Sequence, residues 1–485
     1  MHNNHHVDLG NLARESMIEH GFEPEFPPEV QQQLDQLNAN PPKLAPGDEI
    51  RDLRDLPWSS IDNDTSKDLD QIEVAQDLGG NTKVMIGIAD VDVFAARDTP
   101  IDLHAAKETT TVYAGVRIFP MLPEELSTGA SSLLENEDRL AVVMEYVVDE
   151  KGSLASSEIY RALVRNKAQL AYSTVGPWLE GKAAPPGKID GNGDMQQQLK
   201  LQDKAAQALK KERYRHGALN IESTELQPVF QGEQVVGITR QEKNRASELI
   251  EDFMIAANGV VARFLLDVSS IRRIVKTPER WDRIVELAAQ HGEKLPATPD
   301  SRALNDFLEK QKTADPDRFP EVSLIVVKLM GPGEYVLEPA GDTGEGHFGL
   351  AVQDYTHSTA PNRRFADVVT QRLIKAKLAK RPGPYNDAEL NGIAQNCTLK
   401  ENAARKVERE MSKRIAAVAM SHRIGEAFDA IVTGVNQHGT FVRIFEPHVE
   451  GMLQHGRNGL DVGDRLRVKL VRTDAQRGYI DFDRA

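Results

Sequence analysis

Residues 58–71 read Trp-Ser-Ser-Ile-Asp-Asn-Asp-Thr-Ser-Lys-Asp-Leu-Asp-Gln, and the segment places four aspartates within nine positions. Carboxylates this close repel one another, so a fold keeps them together only where a metal ion, an arginine or a shared proton compensates the charge. In an extended chain Asp68 and Asp70 point to the same face. The turn residues before them allow Asp62 to fold back towards both. Hard oxygen ligands of this kind suit Mg²⁺ or Mn²⁺ rather than zinc.

Three interpretations compete for this acidic segment: a solvated loop, a calcium loop of the EF-hand type, and a Mg²⁺ site for phosphoryl chemistry. The calcium loop is rejected because Lys67 stands where that loop needs a glycine for its sharp turn. The flanking residues 58–61 and 84–89 also have the pattern of strands rather than of amphipathic helices. The rest of the chain has to decide between the other two.

Length and composition indicate a protein of two to four domains. The chain has 485 residues, 40% of them hydrophobic, which is ample for a large core. The single cysteine, Cys397, excludes a disulfide framework and fits a reducing compartment. Neither a signal peptide nor an apolar run long enough to span a bilayer is present, so we expect a soluble, cytoplasmic protein without a membrane partner.

The charge distribution restricts where a nucleic acid could bind. A formal net charge of −15 argues against a surface that is basic all over. Residues 361–423, however, hold 14 Lys and Arg against 6 Asp and Glu. Contacts with nucleic acid are therefore expected from local patches.

The spacing of apolar residues predicts a mixture of helices and strands. Residues 1–45 form a short helical extension, with helices near 9–18 and 28–37, which is either helix-turn-helix-like or a packing extension; the lack of a basic face favours packing. Strands are predicted at 83–89 and 140–148. Helices are predicted at 166–179, 194–215, 241–267, 323–330 and 387–422, with further helices between 267 and 311.

A second polar segment lies at residues 355–367. Pro361 biases the preceding residue away from helix, and a helix is then expected to open with Arg363 and Arg364 at its start. Two guanidinium groups at a helix N-terminus make a phosphate site. His357 and Asp367 could instead pair with the arginines structurally.

Residues 426–485 form a separate unit. Five short strands are predicted within about 60 residues, which matches a five-stranded OB barrel. Aromatic and imidazole rings on such a barrel stack on bases of single strands. Candidates for that stacking are Phe428, His438, Phe441 and His455.

Taken together, five motifs in this order resemble the ribonuclease II / RNB family of 3′-to-5′ exoribonucleases, and the resemblance runs from about residue 57 to 483. The C-terminal barrel resembles the S-one type of RNA-binding OB domain. The motifs that carry the resemblance are Ser60-Ile61-Asp62 with Asp68-Leu69-Asp70, Tyr113 before Pro120-Met121-Leu122-Pro123, Glu251-Asp252-Phe253-Met254, Gly346-His347-Phe348-Gly349-Leu350, and Ala360-Pro361-Asn362-Arg363-Arg364.

The resemblance implies a mixed α/β (α+β) architecture. Residues 46–424 would form the catalytic domain, a central β-sheet or barrel surrounded by helices, and residues 425–485 the OB domain. The implied activity is processive hydrolysis of single-stranded RNA from a free 3′ end to nucleoside 5′-monophosphates by a two-metal displacement. The implied cofactor is one or two Mg²⁺ ions, with Mn²⁺ as an alternative.

The resemblance also assigns roles residue by residue. Asp62, Asp68 and Asp70, with Gln71 beside them, would hold the metal, and Arg363 would contact the scissile phosphate. Tyr113 would position the terminal nucleotide and Glu251 would clamp the last base. Arg364, Tyr172, Ile221 and, on the barrel, Phe441 complete the set of residues expected to contact RNA.

The sequence departs from the family pattern at several points, among them Asn362 and Phe365, which replace the commoner isoleucine and tyrosine around Arg363. Gln71 stands where a fourth acid is usual, and Ile221 stands where a phenylalanine usually stacks on a base. Two N-terminal cold-shock barrels are usual in the family, and about 45 residues cannot hold them. A more open channel would then favour RNA with duplex close to its 3′ overhang. We expect a monomer.

Two rival functions belong to other classes. One is an RNA-binding regulator that has lost turnover through Gln71. The other is an aspartate-nucleophile phosphatase, suggested by residues 62–65, although such an enzyme has no use for the barrel.

Overall fold

The computed structural model describes residues 7–42, 49–221, 225–232, 234–241, 243–316 and 318–485. Within these ranges helices and strands are mixed up to residue 426, and a β-barrel follows. The predicted mixed architecture with a C-terminal five-stranded barrel is confirmed. None of the described helices combines the length and apolar character that crossing a membrane demands.

The helices of the described ranges begin at recognisable signals. Asn244 and Asn386 each accept a hydrogen bond from the backbone three residues on and complete a capping box, with Ser247 and Glu389 respectively. The α-helices are α1 (Leu9–Glu19), α2 (Pro28–Ala39), α3 (Pro100–Glu108), α4 (Tyr172–Leu179), α5 (Gly193–Arg215), α6 (Arg245–Phe264), α7 (Trp281–Gln290), α8 (Ser301–Ala314), α9 (Phe319–Met330), α10 (Phe365–Leu378) and α11 (Asp387–Met420).

The strands are rich in β-branched residues, and most of those in the central sheet are buried. They are β1 (Ile50–Asp52), β2 (Ser59–Asp62), β3 (Gln71–Asp77), β4 (Thr82–Ala89), β5 (Val112–Tyr113), β6 (Ile118–Phe119), β7 (Asp138–Val148), β8 (Leu154–Arg165), β9 (Ala168–Ala171), β10 (Glu225–Gln231), β11 (Gln234–Gln241), β12 (Ser270–Ile274), β13 (Glu334–Glu338), β14 (Ala427–Asn436), β15 (Gly439–Ile444), β16 (Val449–His455), β17 (Arg465–Asp474) and β18 (Tyr479–Arg484).

A seven-stranded sheet forms the centre of the mixed α/β region that precedes the barrel, with the strand order β1-β8-β7-β4-β3-β2-β9. The pairs β1–β8 and β2–β9 are parallel and the other neighbours are antiparallel. The acidic segment connects the neighbouring strands β2 and β3. Asp62 therefore ends one strand and Gln71 begins the next, which brings both ends of the segment to one edge of the sheet.

Helix α6 packs on this sheet and is buried along much of its length. Its apolar residues Leu249, Phe253 and Val260 lie in the main hydrophobic core. The Tyr146 hydroxyl, from β7, donates a hydrogen bond to the Phe253 carbonyl at 3.2 Å. The sheet and α6 thus form a single packed unit beneath the acidic segment.

The C-terminal unit is a closed barrel of β14-β15-β16-β18-β17. Its core continues into the last turns of α11, because Ala416, Ala417 and Met420 pack with the buried barrel residues. Helix α11 also packs on β13, α1 and β11. One long helix therefore connects the barrel to the mixed α/β region.

The N-terminal helices α1 and α2 lie against the mixed α/β region. Ser16 and His20 of α1 each bond to Glu410 of α11, at 2.8 and 2.9 Å. Val30 and Leu34 of α2 belong to the main core. The predicted packing is observed. The predicted boundary at residues 45–46 lies outside the described residues.

Several predicted elements differ from the structure. Residues 166–179 were expected as one helix, but β9 occupies 168–171 because it pairs with β2, and α4 begins only at Tyr172. The helix expected at 241–267 starts at Arg245, since β11 extends to Gln241. Tertiary pairing overrides local propensity in both places.

We expect Arg372 to be important for stability. Its guanidinium lies buried in the core, with Nε 2.6 Å from Asp92 and Nη2 2.7 Å from Asp102. Arg372→Met leaves these carboxylates without that partner, and we expect unfolding to become easier by about 3–5 kcal/mol. Urea denaturation followed by tryptophan fluorescence measures this change. The three tryptophans, Trp58, Trp178 and Trp281, all lie in the mixed α/β region.

Arg51→Met is the matched control. Arg51 pairs with Glu158 at an exposed position, and such pairs contribute below about 1 kcal/mol. Equal effects of the two substitutions would contradict the role given to Arg372.

Candidate active site

The second half of the acidic segment is pinned by the chain around Ser132. The Leu69 N–H donates to Ser132 Oγ at 2.9 Å, and the same hydroxyl donates to the Lys67 carbonyl at 2.6 Å. Leu69 is fully buried. These contacts fix the backbone on both sides of Asp68 and turn Asp70 into the protein.

Asp70 is buried, with 3% of its surface exposed. Its Oδ1 accepts a hydrogen bond from the Asn362 N–H at 2.9 Å, and its Oδ2 lies 3.6 Å from Arg363 Nε. Burial raises the pKa of Asp70 to about 7, although Arg363 and the Asn362 N–H both act to lower it. The positive charge beside this carboxylate therefore compensates only part of the cost of burial.

Asp62 is the second strongly perturbed acid. Its Oδ1 accepts a hydrogen bond from Gln71 Nε2 at 2.9 Å, whereas its Oδ2 is buried without a partner among the described residues. Burial raises the pKa of Asp62 to about 7, and the negative charge of Asp68 adds to the rise. An unpaired buried carboxylate oxygen is a place where a cation or a proton stabilises the fold.

Asp68 links the other two acids. It accepts a hydrogen bond from the Tyr113 hydroxyl at 3.3 Å. Its negative charge contributes to the raised pKa of both Asp62 and Asp70, while Arg363 opposes both shifts. The three predicted acids and Arg363 consequently form one electrostatic group, drawn from segments about 300 residues apart in sequence.

These residues fit a divalent cation in charge and in donor type. The donors are hard oxygens, of which Asp62 Oδ2 lacks a partner. No three Asp, Glu, His or Cys side chains of the described ranges lie close enough together to hold a metal. Binding a cation here would therefore require the acids to draw closer than they are in the structure.

Among the described residues, Tyr172 and Glu251 interact with the acid group only through electrostatics. Tyr172 begins α4, and burial together with the charges of Asp62 and Glu73 raises its pKa. Glu251 is exposed on α6, where it pairs with Lys243 at 2.7 Å, and its charge also acts on Tyr172. The roles of both residues as RNA contacts stay predictions.

Arg363 and Arg364 lie just before α10 rather than within its first turn. The Arg363 side chain is half exposed, whereas Arg364 is largely buried and pairs with Asp367 at 2.8 Å. The structural pairing of Asp367 with an arginine, kept open from the sequence, is therefore present. His357 is bonded to the Tyr335 hydroxyl at 2.7 Å and not to either arginine. A cavity of about 180 Å³ adjoins Tyr113, Tyr335, His357, Arg363 and Arg364.

The remaining two predicted RNA contacts lie elsewhere. Ile221 packs against the hydrophobic cluster of α7, α8 and α9. Phe441 is partly exposed on β15, opposite Met452 of β16. Nothing in the described contacts joins either residue to the acid group, and their roles stay predictions.

Sequence reasoning missed two features of the site region. Asn362 holds Asp70 through its backbone, and its own side-chain oxygen accepts from Ser131 Oγ at 2.6 Å. No sequence signal marks a backbone donor. Glu73 is fully buried, and its strand gives no signal for this, because β3 also carries Gln71, Gln76 and Asp77.

Two family profiles match the chain. The one described as "RNB domain" covers residues 50–380, and the one described as "RNase II-type exonuclease C-terminal S1 domain" covers residues 426–485. Among curated relatives, Ribonuclease R of Escherichia coli is 30% identical over 497 residues, which include 94% of this chain and 60% of that protein. Ribonuclease R of Thermotoga maritima is 30% identical over 501 residues, covering 94% and 68% of the two chains. The chain thus spans about 60% of the length of most of these relatives.

Solved structures share the fold. Mycoplasma genitalium RNase R in complex with ribose-methylated single-stranded RNA superposes with a TM-score of 0.86 at 22% identity, covering 99% of this chain and 78% of that one. Yeast Ssd1, described as a pseudonuclease, superposes with a TM-score of 0.70 at 16% identity, covering 92% and 56%.

The fold and the site define an RNB-type domain in which an acid group lies beside an arginine, joined to an S1-type barrel. The chain belongs to the RNB domain family.

The raised pKa values predict how stability depends on pH. In the metal-free protein Asp62 and Asp70 bind protons up to about pH 7, whereas unfolded aspartates release them near pH 4. The folded state therefore binds more protons between these values, and its stability falls as pH rises from 4 to 7. Asp70→Asn should flatten this fall, which thermal unfolding in EDTA at pH 5 to 8 measures.

Asp64→Asn is the control, because Asp64 lies exposed in the same segment and bonds to Ser173. A pH dependence of the Asp70→Asn protein as steep as that of the wild type would contradict the raised pKa.

Proposed function

We propose that this protein is a 3′-to-5′ exoribonuclease that hydrolyses single-stranded RNA processively to nucleoside 5′-monophosphates. The observation that carries the proposal is the buried Asp70, held between the Asn362 N–H and Arg363 in the same electrostatic group as Asp62 and Asp68. Membership of the RNB family and the similarity to proteins named Ribonuclease R support it.

One or two Mg²⁺ ions, or Mn²⁺, would be held by Asp62, Asp68, Asp70 and the amide oxygen of Gln71, and would supply charge for activating water and stabilising the leaving 3′ oxygen. Arg363 is half exposed and would bind the scissile phosphate while its Nε faces Asp70. Because its guanidinium is already positioned by that carboxylate, little reorganisation is needed when negative charge develops on the phosphate.

The tyrosines around the acids would position the end of the RNA. Tyr113 bonds to Asp68 through its hydroxyl, so its ring stands next to the acid that faces the last phosphodiester. Tyr172 and Glu251 would contact the terminal nucleotides from α4 and α6. Arg364, Ile221 and Phe441 would contact the strand farther along its path.

Single-stranded RNA with a free 3′ end is the proposed partner, and contacts with 2′-hydroxyls would distinguish it from DNA. The Mycoplasma genitalium enzyme has been solved with single-stranded and with double-stranded RNA. This supports a substrate in which a duplex adjoins the single-stranded 3′ end. We expect the protein to act as a monomer in the cytoplasm.

The activity is tested on an internally labelled single-stranded RNA. We expect release of nucleoside 5′-monophosphates with Mg²⁺ and none with EDTA. Asp70→Asn should lower turnover by at least about 10²- to 10³-fold, the effect of removing one electrostatic group from a catalytic site. RNA binding should stay intact or become tighter, because a negative charge that faces phosphate is removed.

Asp64→Asn, in the same segment, should keep wild-type turnover and serves as the matched control. An Asp70→Asn protein with near-normal turnover would refute the metal assignment. A wild type that binds RNA but releases no monophosphates would instead identify an RNA-binding regulator.

Tyr113→Ala tests the positioning of the RNA end. Removing the ring should change the length of the final product while long RNA is still degraded, because the acids and Arg363 remain. Tyr113→Phe keeps the ring and loses only the bond to Asp68, so its final product should match that of the wild type. Gel analysis of end products measures both. Identical end products from all three proteins would contradict the role of Tyr113.

A further inference from the structure

Glu73 is a buried acid in the middle of the central sheet. It follows Gln71 by two residues in β3, so the two side chains share a face of the strand. Its exposed surface is 0%, and among the described residues neither of its carboxylate oxygens has a hydrogen-bond partner. It is the one described carboxylate for which both oxygens are buried and unpaired.

Other buried acids of the protein have partners. Asp252 lies 2.7 Å from Arg213, and Glu338 lies 3.0 Å from Arg272. Glu145, a partly buried acid of β7, which β4 separates from β3 in the sheet, binds Lys83 at 2.9 Å and accepts a hydrogen bond from Tyr160 at 2.7 Å. Since a buried charge without a partner is unfavourable, the unpaired carboxyl of Glu73 calls for a proton or a cation.

The surroundings of Glu73 point to a positively charged ligand. Ser59 lies opposite Glu73 in the β2–β3 register, and its Oγ is also buried without a partner. Asp62, which ends β2, has one unpaired oxygen and interacts electrostatically with Glu73. The charges of both acids also act on Tyr172. The four unpaired atoms are Ser59 Oγ, Asp62 Oδ2 and both carboxylate oxygens of Glu73. The three carboxylate oxygens, when ionised, can accept hydrogen bonds but cannot donate them.

We propose that Glu73 binds the catalytic divalent cation together with Asp62, and so supplies at position 73 the negative charge that Gln71 does not carry. This inference rests on the proposed function, because it deepens the metal site of the nuclease. Asp62 Oδ1 is already engaged by the Gln71 amide. The atoms left for a cation on this side are Asp62 Oδ2 and the Glu73 carboxylate. Asp62 and Glu73 are a pair of acids. A group of three metal-binding side chains is not found among the described residues.

The test measures Mn²⁺ binding to the full-length protein without RNA, by electron paramagnetic resonance of free Mn²⁺. Glu73→Gln keeps the shape and removes the charge, and we expect the tightest Mn²⁺ affinity to fall by about 10- to 100-fold. Glu145→Gln is the matched control, a strand acid with partners of its own, and should bind Mn²⁺ as the wild type does.

A second variant tests position. Gln71→Asp in the Glu73→Gln background returns a carboxylate to the same face of β3, and we expect it to restore the Mn²⁺ affinity. Circular dichroism checks the fold of each variant. Should Glu73→Gln not fold, Glu73→Asp takes its place, since it keeps the charge but withdraws it by one methylene, and the same weakening is expected.

Wild-type Mn²⁺ affinity in the position-73 variant, or no recovery in the double variant, would overturn the proposal and make Glu73 a purely structural acid. Such a result leaves the proposed function standing if the wild type still releases monophosphates with Mg²⁺. A wild type that neither binds Mn²⁺ nor degrades RNA would instead refute the proposed function itself.

Discussion

The geometry of the site depends on the hydrogen bond from the Asn362 N–H to Asp70, which joins residues 292 positions apart. Asp70 is buried beside the half-exposed guanidinium of Arg363, and the buried carboxylate is costly without a compensating partner. The segment before α10 is therefore fixed from several sides. Asn258 holds Ser358 through its backbone and hydroxyl, and the Thr111 N–H donates to the Arg363 carbonyl. These hydrogen bonds fix the backbone around Arg363. Its side chain therefore lies beside the acids without a loop having to become ordered first.

Helix α11 extends this constraint to the rest of the molecule. Near its start, Leu390 and Ala394 belong to the main core, and near its end Met420 belongs to the barrel core. Between them, Glu408 accepts a hydrogen bond from the Tyr113 N–H at 3.2 Å. The same rigid helix thus contacts the barrel and the strand that carries Tyr113, so the position of the barrel and the position of the expected RNA end are linked mechanically.

The sequence predicted the barrel and the acid segment well because both are local patterns. Five alternating strands and four aspartates within nine residues are visible without any partner. Prediction was poorer where distant pairing decides, as at residues 168–171, which form a strand only because β2 lies beside them. In the candidate site, the proximity of Asp70 and Arg363 came from a family resemblance, while the Asn362 N–H and the burial of Glu73 depend on packing that no local pattern encodes. The assignments of Ile221 and Phe441 stay predictions for the same reason.

We proposed that the carboxylate stands at position 73 and the amide at position 71. The hydrogen bond that Gln71 makes gives a reason for this order. An aspartate at position 71 would face Asp62 Oδ1 and repel it, whereas the Gln71 amide donates a hydrogen bond to that oxygen. The amide therefore keeps Asp62 oriented in the metal-free protein and lowers the cost of burying it. The carboxylate at position 73 lies farther into the sheet, away from solvent, where a charge is costly without a cation and effective with one. In the proposed arrangement, Gln71 therefore orients Asp62, and Glu73 supplies the negative charge that attracts a divalent ion.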